Sequence, residues 1–161
     1  LASLLGIAVE ANLPYASSLN VSLNLEESLE HAWVMADPDR LLQVMANLLS
    51  NACKFSPEGA VVSIRLLIWP QADMHEKSNY FRVEVEDHGQ GIPKAFQAYI
   101  FDPFTQADGT NTRQQGGTGL GLSISKTLLE KMGGRIGFVS QEGKGTCFWF
   151  ELAAMNPDLF A

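Results

Sequence analysis

Cysteine is scarce in this chain, with two among 161 residues. Cys53 and Cys147 form neither a CxxC pair nor part of a metal-ligand cluster, which argues against a disulfide framework or a zinc site. Both stand in apolar surroundings, where a free cysteine behaves as a small hydrophobe, and this fits a reducing compartment. Long apolar runs are also missing: none approaches the roughly 18 residues that a bilayer crossing needs. No basic-then-apolar leader opens the sequence, so the expectation is a cytoplasmic domain that is not itself inserted in a membrane, whatever anchors its parent. Basic residues are outnumbered, 11 against 18 acidic, and a net charge of −7 makes a poor grip for a nucleic-acid backbone. Histidine gives no cluster: His31, His75 and His88 are scattered, and no Ser–His–Asp arrangement is discernible. No Gly-Lys-Ser/Thr triplet and no GxGxxG spacing occur, so neither a Walker loop nor a Rossmann fingerprint is present.

What remains is enough for one globular domain. The hydrophobic share of 46% supports a sizeable core in a chain too short for two large domains. Residues 1–18 read as a linker or the end of an upstream helix, 19–154 as the body and 155–161 as a tail. Within the body, Val21, Leu23 and Leu25 alternate with polar neighbours, which predicts a half-buried strand. Ala32 to Ala36 reads as a second strand pairing with it. Asp37-Pro38 is a helix start, with Asp as cap and Pro preorganised for the first turn. That helix is expected to reach about Phe55, burying Leu41, Leu42, Val44, Met45, Leu48, Leu49 and Ala52.

Strands follow at 60–69 and 80–87, the second with Phe81, Val83 and Val85 inward and a mostly solvated outer face. A short helix is expected within 93–100, a ligand-covering loop over 108–117, and a helix over 119–132 closed by Gly133-Gly134. Strands at 135–140 and 146–152 complete the pattern. It predicts an α/β layer of helices on an antiparallel or mixed sheet, without the regular alternation of a doubly wound fold.

Three groups carry usable chemistry. Gly116 to Ser123 holds four glycines in six residues and runs into a helix start, where unpaired N–H groups suit a phosphate. Asn47, Asn51 and Lys54 share one side of the long helix. An Asn carbonyl can ligate Mg²⁺, and a lysine one turn on can meet a phosphate, although solvated helix-face residues explain the spacing as well. Asp87 ends a strand just before Gly89 and Gly91. A buried carboxylate there would need a donor such as the exocyclic amine of adenine; an ordinary turn aspartate is the plainer reading of that residue alone. Phe101 and Phe104 read as hydrophobic anchors for the loop that follows.

Together these segments resemble the ATP-binding domain of sensor histidine kinases, in the superfamily shared with gyrase B, Hsp90 chaperones and MutL. The asparagine box corresponds to 39–55 and the first glycine box to 87–93. Phe101-Asp102-Pro103-Phe104 is similar to the phenylalanine box, with Asp102 where glutamate is common. Gly117-Thr118-Gly119-Leu120-Gly121-Leu122 is similar to the second glycine box. The resemblance implies a two-layer α/β sandwich, its mixed and mostly antiparallel sheet covered on one face by helices, with ATP under a mobile lid. It implies Asn51 as Mg²⁺ ligand, Lys54 as phosphate contact and Phe55 in the pocket wall. Asp87 would hold the adenine amine. Gly89, Gly91 and Ile92 would shape that wall, and Thr146 would support it through water. Gly117, Gly119, Leu120, Gly121 and Leu122 would hold the phosphates, Phe104 would be a further cofactor contact, and Arg113 would help close the lid.

Asn47 stands where ATP-hydrolysing relatives carry a glutamate that activates water, and an amide lacks the basicity for that work. Phosphoryl transfer from ATP to a histidine is therefore the implied reaction. The acceptor belongs to an upstream dimerisation domain, and a response regulator lies further along. The alternatives are a nucleotide-responsive module without transfer and a serine-directed kinase of the anti-sigma type.

Overall fold

The computed structural model describes residues 1–26, 29, 31–70, 79–105 and 118–155. Four helices and five strands follow one another there: α1 Ala2–Ser18, β1 Ser22–Leu25, α2 Pro38–Phe55, β2 Val61–Pro70, β3 Asn79–Asp87, α3 Lys94–Gln97, α4 Gly121–Lys131, β4 Arg135–Gln141 and β5 Gly145–Ala153. The strands form a single mixed sheet in the order β1-β2-β3-β5-β4. β1 and β2 run parallel, with α2 as the crossover between them, and every other pairing is antiparallel. Residues 71–78, the whole of the expected ligand-covering loop at 108–117, and all of the expected tail except Met155 lie outside the described residues.

The helix start read from Asp37-Pro38 forms as expected. Asp37 Oδ1 accepts the N–H groups of Asp39 at 3.0 Å and Arg40 at 3.1 Å, satisfying two of the donors that a helix start leaves open. Replacing Asp37 with alanine should lower stability by about 1 kcal/mol, read as a shifted urea midpoint with unchanged slope. Leu41, Val44, Met45, Leu48, Leu49 and Ala52 are all buried along α2. They pack on the inward residues of the sheet: Val62, Ile64 and Leu66 from β2, Phe81, Val83 and Val85 from β3, and Phe148, Phe150 and Leu152 from β5.

Residues 1–18, read as a linker or helix end, form α1 and place Leu5, Ala8 and Ala16 in this same core. The helix continues through Pro14. Packing of its apolar side holds the turns around the hydrogen bond that proline cannot donate.

The segment 32–36 departs from expectation. It does not pair with β1; it makes one isolated bridge, Val34 to Ala154, beside a hydrogen bond from Met155 N to the Trp33 carbonyl. The chain must leave edge strand β1 and reach the middle of the sheet, where α2 begins, so it touches the sheet only in passing. β1 pairs with β2 instead.

The outer face is also less solvated than alternation predicts. The Arg82 guanidinium lies between two indoles, 3.4 Å from the Trp69 ring centre and 4.2 Å from that of Trp149. Behind it Glu151 is fully buried, paired with Arg82 and Arg135. Burial pushes the thiols of both Cys53 and Cys147 up to about 11, so neither is a ready thiolate.

Candidate functional site

β3 delivers Asp87 at its inward-facing end, and there the apolar run gives way to a carboxylate with only 6% of its surface exposed. Its Oδ1 accepts two backbone N–H groups, from Gly89 at 2.9 Å and Thr146 at 3.3 Å. Oδ2 receives no hydrogen bond from the described residues, yet it is not a sealed, unsatisfied atom. One oxygen is thus fixed by the fold and the other is left for a partner. Burial raises the carboxyl pKa above the ordinary range. The two backbone donors and nearby His88 pull it back down, and Glu86 adds to the rise.

Glycine is required where the turn after β3 meets α2. A Cβ on Gly89 would collide with the Phe55 carbonyl, so this turn is pressed directly against the last turn of the helix. Between them lies a cavity of about 340 Å³, lined by Lys54, Phe55, Ser56, Pro57, His88, Gly89 and Gln90. Phe55 is exposed, and the Lys54 ammonium lies 5.1 Å from its ring centre. Gly91 has a left-handed φ of 71° and fits against the Gln141 backbone, and Ile92 is buried behind it.

The same helix meets the second glycine segment two turns back. Asn47 Nδ2 donates to Ser125 Oγ at 3.0 Å, and a Cβ on Gly121 would land on the Asn47 carboxamide. Asn51 sits on the helix between Asn47 and Phe55, half-buried, and its carboxamide makes no hydrogen bond to the described residues. At the start of α4, Leu120 provides no side-chain cap, and the N–H groups of Gly121, Leu122 and Ser123 find no acceptor among the described residues. An N-terminus of this kind attracts anions through its dipole and its free donors. Gly119 has a φ of 68° and its carbonyl accepts the Phe104 N–H at 2.8 Å, joining the phenylalanine segment to the loop.

Asp87, Phe55 and Gly89 thus lie at the C-terminal end of α2, and Asn47 with Gly121 about two turns earlier along the same helix. Phe101 packs as an anchor, its ring 5.9 Å from Phe138 and 6.4 Å from Phe148. Phe104 does not: the residue is 74% exposed and its φ is 64°. Arg113 and Gly117 lie outside the described residues.

Two residues that sequence reasoning passed over belong to the site. Ser125 pins Asn47. Ser140 accepts the Ile92 N–H at 2.8 Å and lies 2.9 Å from the Thr146 hydroxyl. Strand register would have exposed Ser140, because the turn between β4 and β5 sets it opposite Thr146.

A family model described as histidine kinase-, DNA gyrase B-, and HSP90-like ATPase matches residues 36–156. The sensor histidine kinase GacS of Pseudomonas protegens is 44% identical over 119 residues, which cover 74% of this chain and 12% of that protein. The signal transduction histidine-protein kinase BarA of Escherichia coli is 36% identical over 154 residues, 95% of this chain and 16% of that protein. The chain therefore spans only a small part of the curated relatives it matches. Among solved structures, the catalytic domain of histidine kinase ThkA superposes with a TM-score of 0.76 at 29% identity, covering 96% of this chain and 92% of that one. Full-length ShkA in complex with AMPPNP gives a TM-score of 0.76 at 31% identity, covering 96% of this chain and 30% of that one. The chain belongs to the family of histidine kinase-, DNA gyrase B- and HSP90-like ATPases, and its similarity runs to the sensor histidine kinases within it.

Proposed function

We propose that this domain binds Mg-ATP between α2 and the start of α4, and donates the γ-phosphoryl group to a histidine on a separate dimerisation domain. The observation that carries the reading is the polarity of two places along α2. A buried carboxylate with one uncommitted oxygen stands by the C-terminal end of α2, and a helix start with uncommitted N–H groups meets the same helix two turns earlier, at Asn47. The first is an acceptor for the adenine amine and the second a cradle for phosphates. The AMPPNP carried by the ShkA structure is an ATP-like ligand and supports the same reading.

The donor set also suits a hard divalent cation. Asn51 offers a carboxamide oxygen with no partner among the described residues, on α2 between Asn47 and Phe55. A Mg²⁺ ion held there would supply neutralisation of phosphate charge. Asn51 would hold it, and Lys54 would meet the phosphates as a point charge. Gly121 and Leu122 would align the chain of phosphates through their backbone N–H groups, and Arg113 and Gly117 are proposed to complete the lid.

Asn47 supports transfer over hydrolysis. Its amide nitrogen donates to Ser125, and a carboxamide cannot take a proton from water. The protein's contribution is then alignment and charge stabilisation, with the nucleophile brought by another domain.

Labelled ATP offered to this domain together with its cognate acceptor domain should yield acid-labile, base-stable phosphohistidine. ATP binding without any such transfer would favour a nucleotide-responsive module. Replacing Asn51 with alanine should leave metal-free ATP affinity nearly unchanged and remove most of the gain given by Mg²⁺, about tenfold, in calorimetric titration.

A further inference from the structure

Asp87, Thr146 and Ser140 lie side by side across three strands. Asp87 on β3 is in register with Thr146 on β5, and Thr146 with Ser140 on β4. The neighbouring inward rung is wholly apolar, made by Val85, Phe148 and Phe138 in the same registers. A single polar rung therefore closes the inner face of the sheet at the candidate adenine end. Thr146 is buried, with 5% of its surface exposed, so the direction of its hydroxyl hydrogen is set by very few neighbours.

Ser140 is one of them. It has one hydroxyl hydrogen and two acceptors within reach, the Gly145 carbonyl at 3.1 Å and Thr146 Oγ1 at 2.9 Å. The Ile92 N–H occupies one of its own lone pairs in either case. If the serine hydrogen goes to Gly145, Thr146 must donate to Ser140 and is left as an acceptor. If it goes to Thr146, the threonine hydrogen is released for another acceptor.

We propose that Ser140 is a positioning residue that directs the Thr146 hydroxyl hydrogen toward the purine, so that ring nitrogen N1 of adenine is read as an acceptor beside the 6-amino group read by Asp87. This rests on the ATP reading above. Adenine offers a donor and an acceptor on neighbouring atoms, and the Asp87–Thr146 pair offers the complement, directly or across one water. A purine with an oxygen at C6 and a hydrogen on N1 meets the wrong polarity at both positions. The Ser140–Thr146 pair thus contributes to base specificity as well as to affinity.

Calorimetric titration with ATP and with 1-deaza-ATP, in which a C–H replaces N1, tests this in the intact chain. The parent protein should bind ATP about three- to tenfold more tightly than the analogue, the worth of one net hydrogen bond. In Ser140→Ala that ratio should fall below about twofold, and Ser140→Thr, which keeps the hydroxyl, should restore it. A serine that merely anchors the β4–β5 turn would weaken both nucleotides equally, and an undiminished ratio in Ser140→Ala overturns the proposal. Should that variant lose all binding, Ser140→Cys, similar in size and a much weaker donor, is read by the same ratio with the same two outcomes. A parent protein that binds ATP without preferring it to the analogue also overturns the proposal. One that binds no ATP at all overturns the underlying reading of the site instead.

Discussion

Asp87→Asn should weaken ATP binding about a hundredfold while leaving the empty domain at least as stable as the parent, because binding and folding ask opposite things of this carboxyl. In the fold, Oδ1 takes the N–H groups of Gly89 and Thr146, and an asparagine carbonyl can accept both. The uncommitted position would then carry an amide NH₂ facing the adenine amine, donor against donor. A charge-assisted hydrogen bond is lost and two donors are left without acceptors.

Stability moves the other way. Burial raises the Asp87 pKa in the folded chain above its unfolded value. The favourable contribution of that raised pKa is complete below the unfolded value and is lost as pH climbs through the folded one, so at neutral pH the buried charge is a cost. Asparagine has no charge to desolvate. Thermal unfolding without ligand should therefore give a midpoint at or above the parent's, and titration should show the loss of affinity. ATP affinity of the parent should also fall as pH is lowered through the raised Asp87 pKa, since only the carboxylate is the full acceptor. A variant that both unfolds more readily and binds normally would contradict both halves.

Glu151→Ala should destabilise the domain by about 3 kcal/mol, the largest stability loss expected from a single side chain outside the apolar core. Glu151 is fully buried on a sheet face that alternation assigns to solvent, and it pairs with both Arg82 and Arg135. Arg82 is itself mostly covered by Trp69 and Trp149, so removing the carboxylate leaves a guanidinium that water reaches poorly with only Glu84, 3.9 Å away, to offset its charge. Arg135 is about half exposed and can turn to solvent, which limits the loss. Chemical denaturation should show the lower midpoint. Glu151→Gln, which keeps the shape and gives up the charge, should fall between alanine and the parent. An alanine variant as stable as the parent would mean that the stacked indoles alone hold this face.

Much of this was legible in the residues, for identifiable reasons. α2 could be read because its cap, its first-turn proline and its apolar stripe all specify the same helix. Helical spacing set Asn47, Asn51 and Lys54 on one side of it, and the roles proposed for them came from the family resemblance. The inward side of β3 followed from strict alternation of Phe81, Val83 and Val85 with polar neighbours.

Other features depend on placement that no local pattern encodes. The 32–36 stretch has a strand-like composition, but the position of α2 over the sheet carries it past β1 to Ala154. Glu151 reads as a solvated residue until Trp69 and Trp149, 80 positions apart in the chain, close over its arginine partner. Ser140 lies in a strand with an ordinary composition, and only its register against Thr146 reveals a role. Phe104 was misjudged as an anchor because its ring type suggests burial, whereas its left-handed backbone turns it outward. Sequence patterns specified elements and faces well; contacts between distant strands required the assembled sheet.

The central claim is that the C-terminal end of α2 and its Asn47 turn serve a single nucleotide, and amide-resolved NMR titration with Mg-AMPPNP tests it most directly. Resonances of Gly89 and Thr146 at the adenine end should move together with those of Gly121 and Leu122 at the phosphate end, along one saturation curve with one ligand per chain. Shifts confined to either group, or two curves with different midpoints, would mean that these residues do not share a ligand.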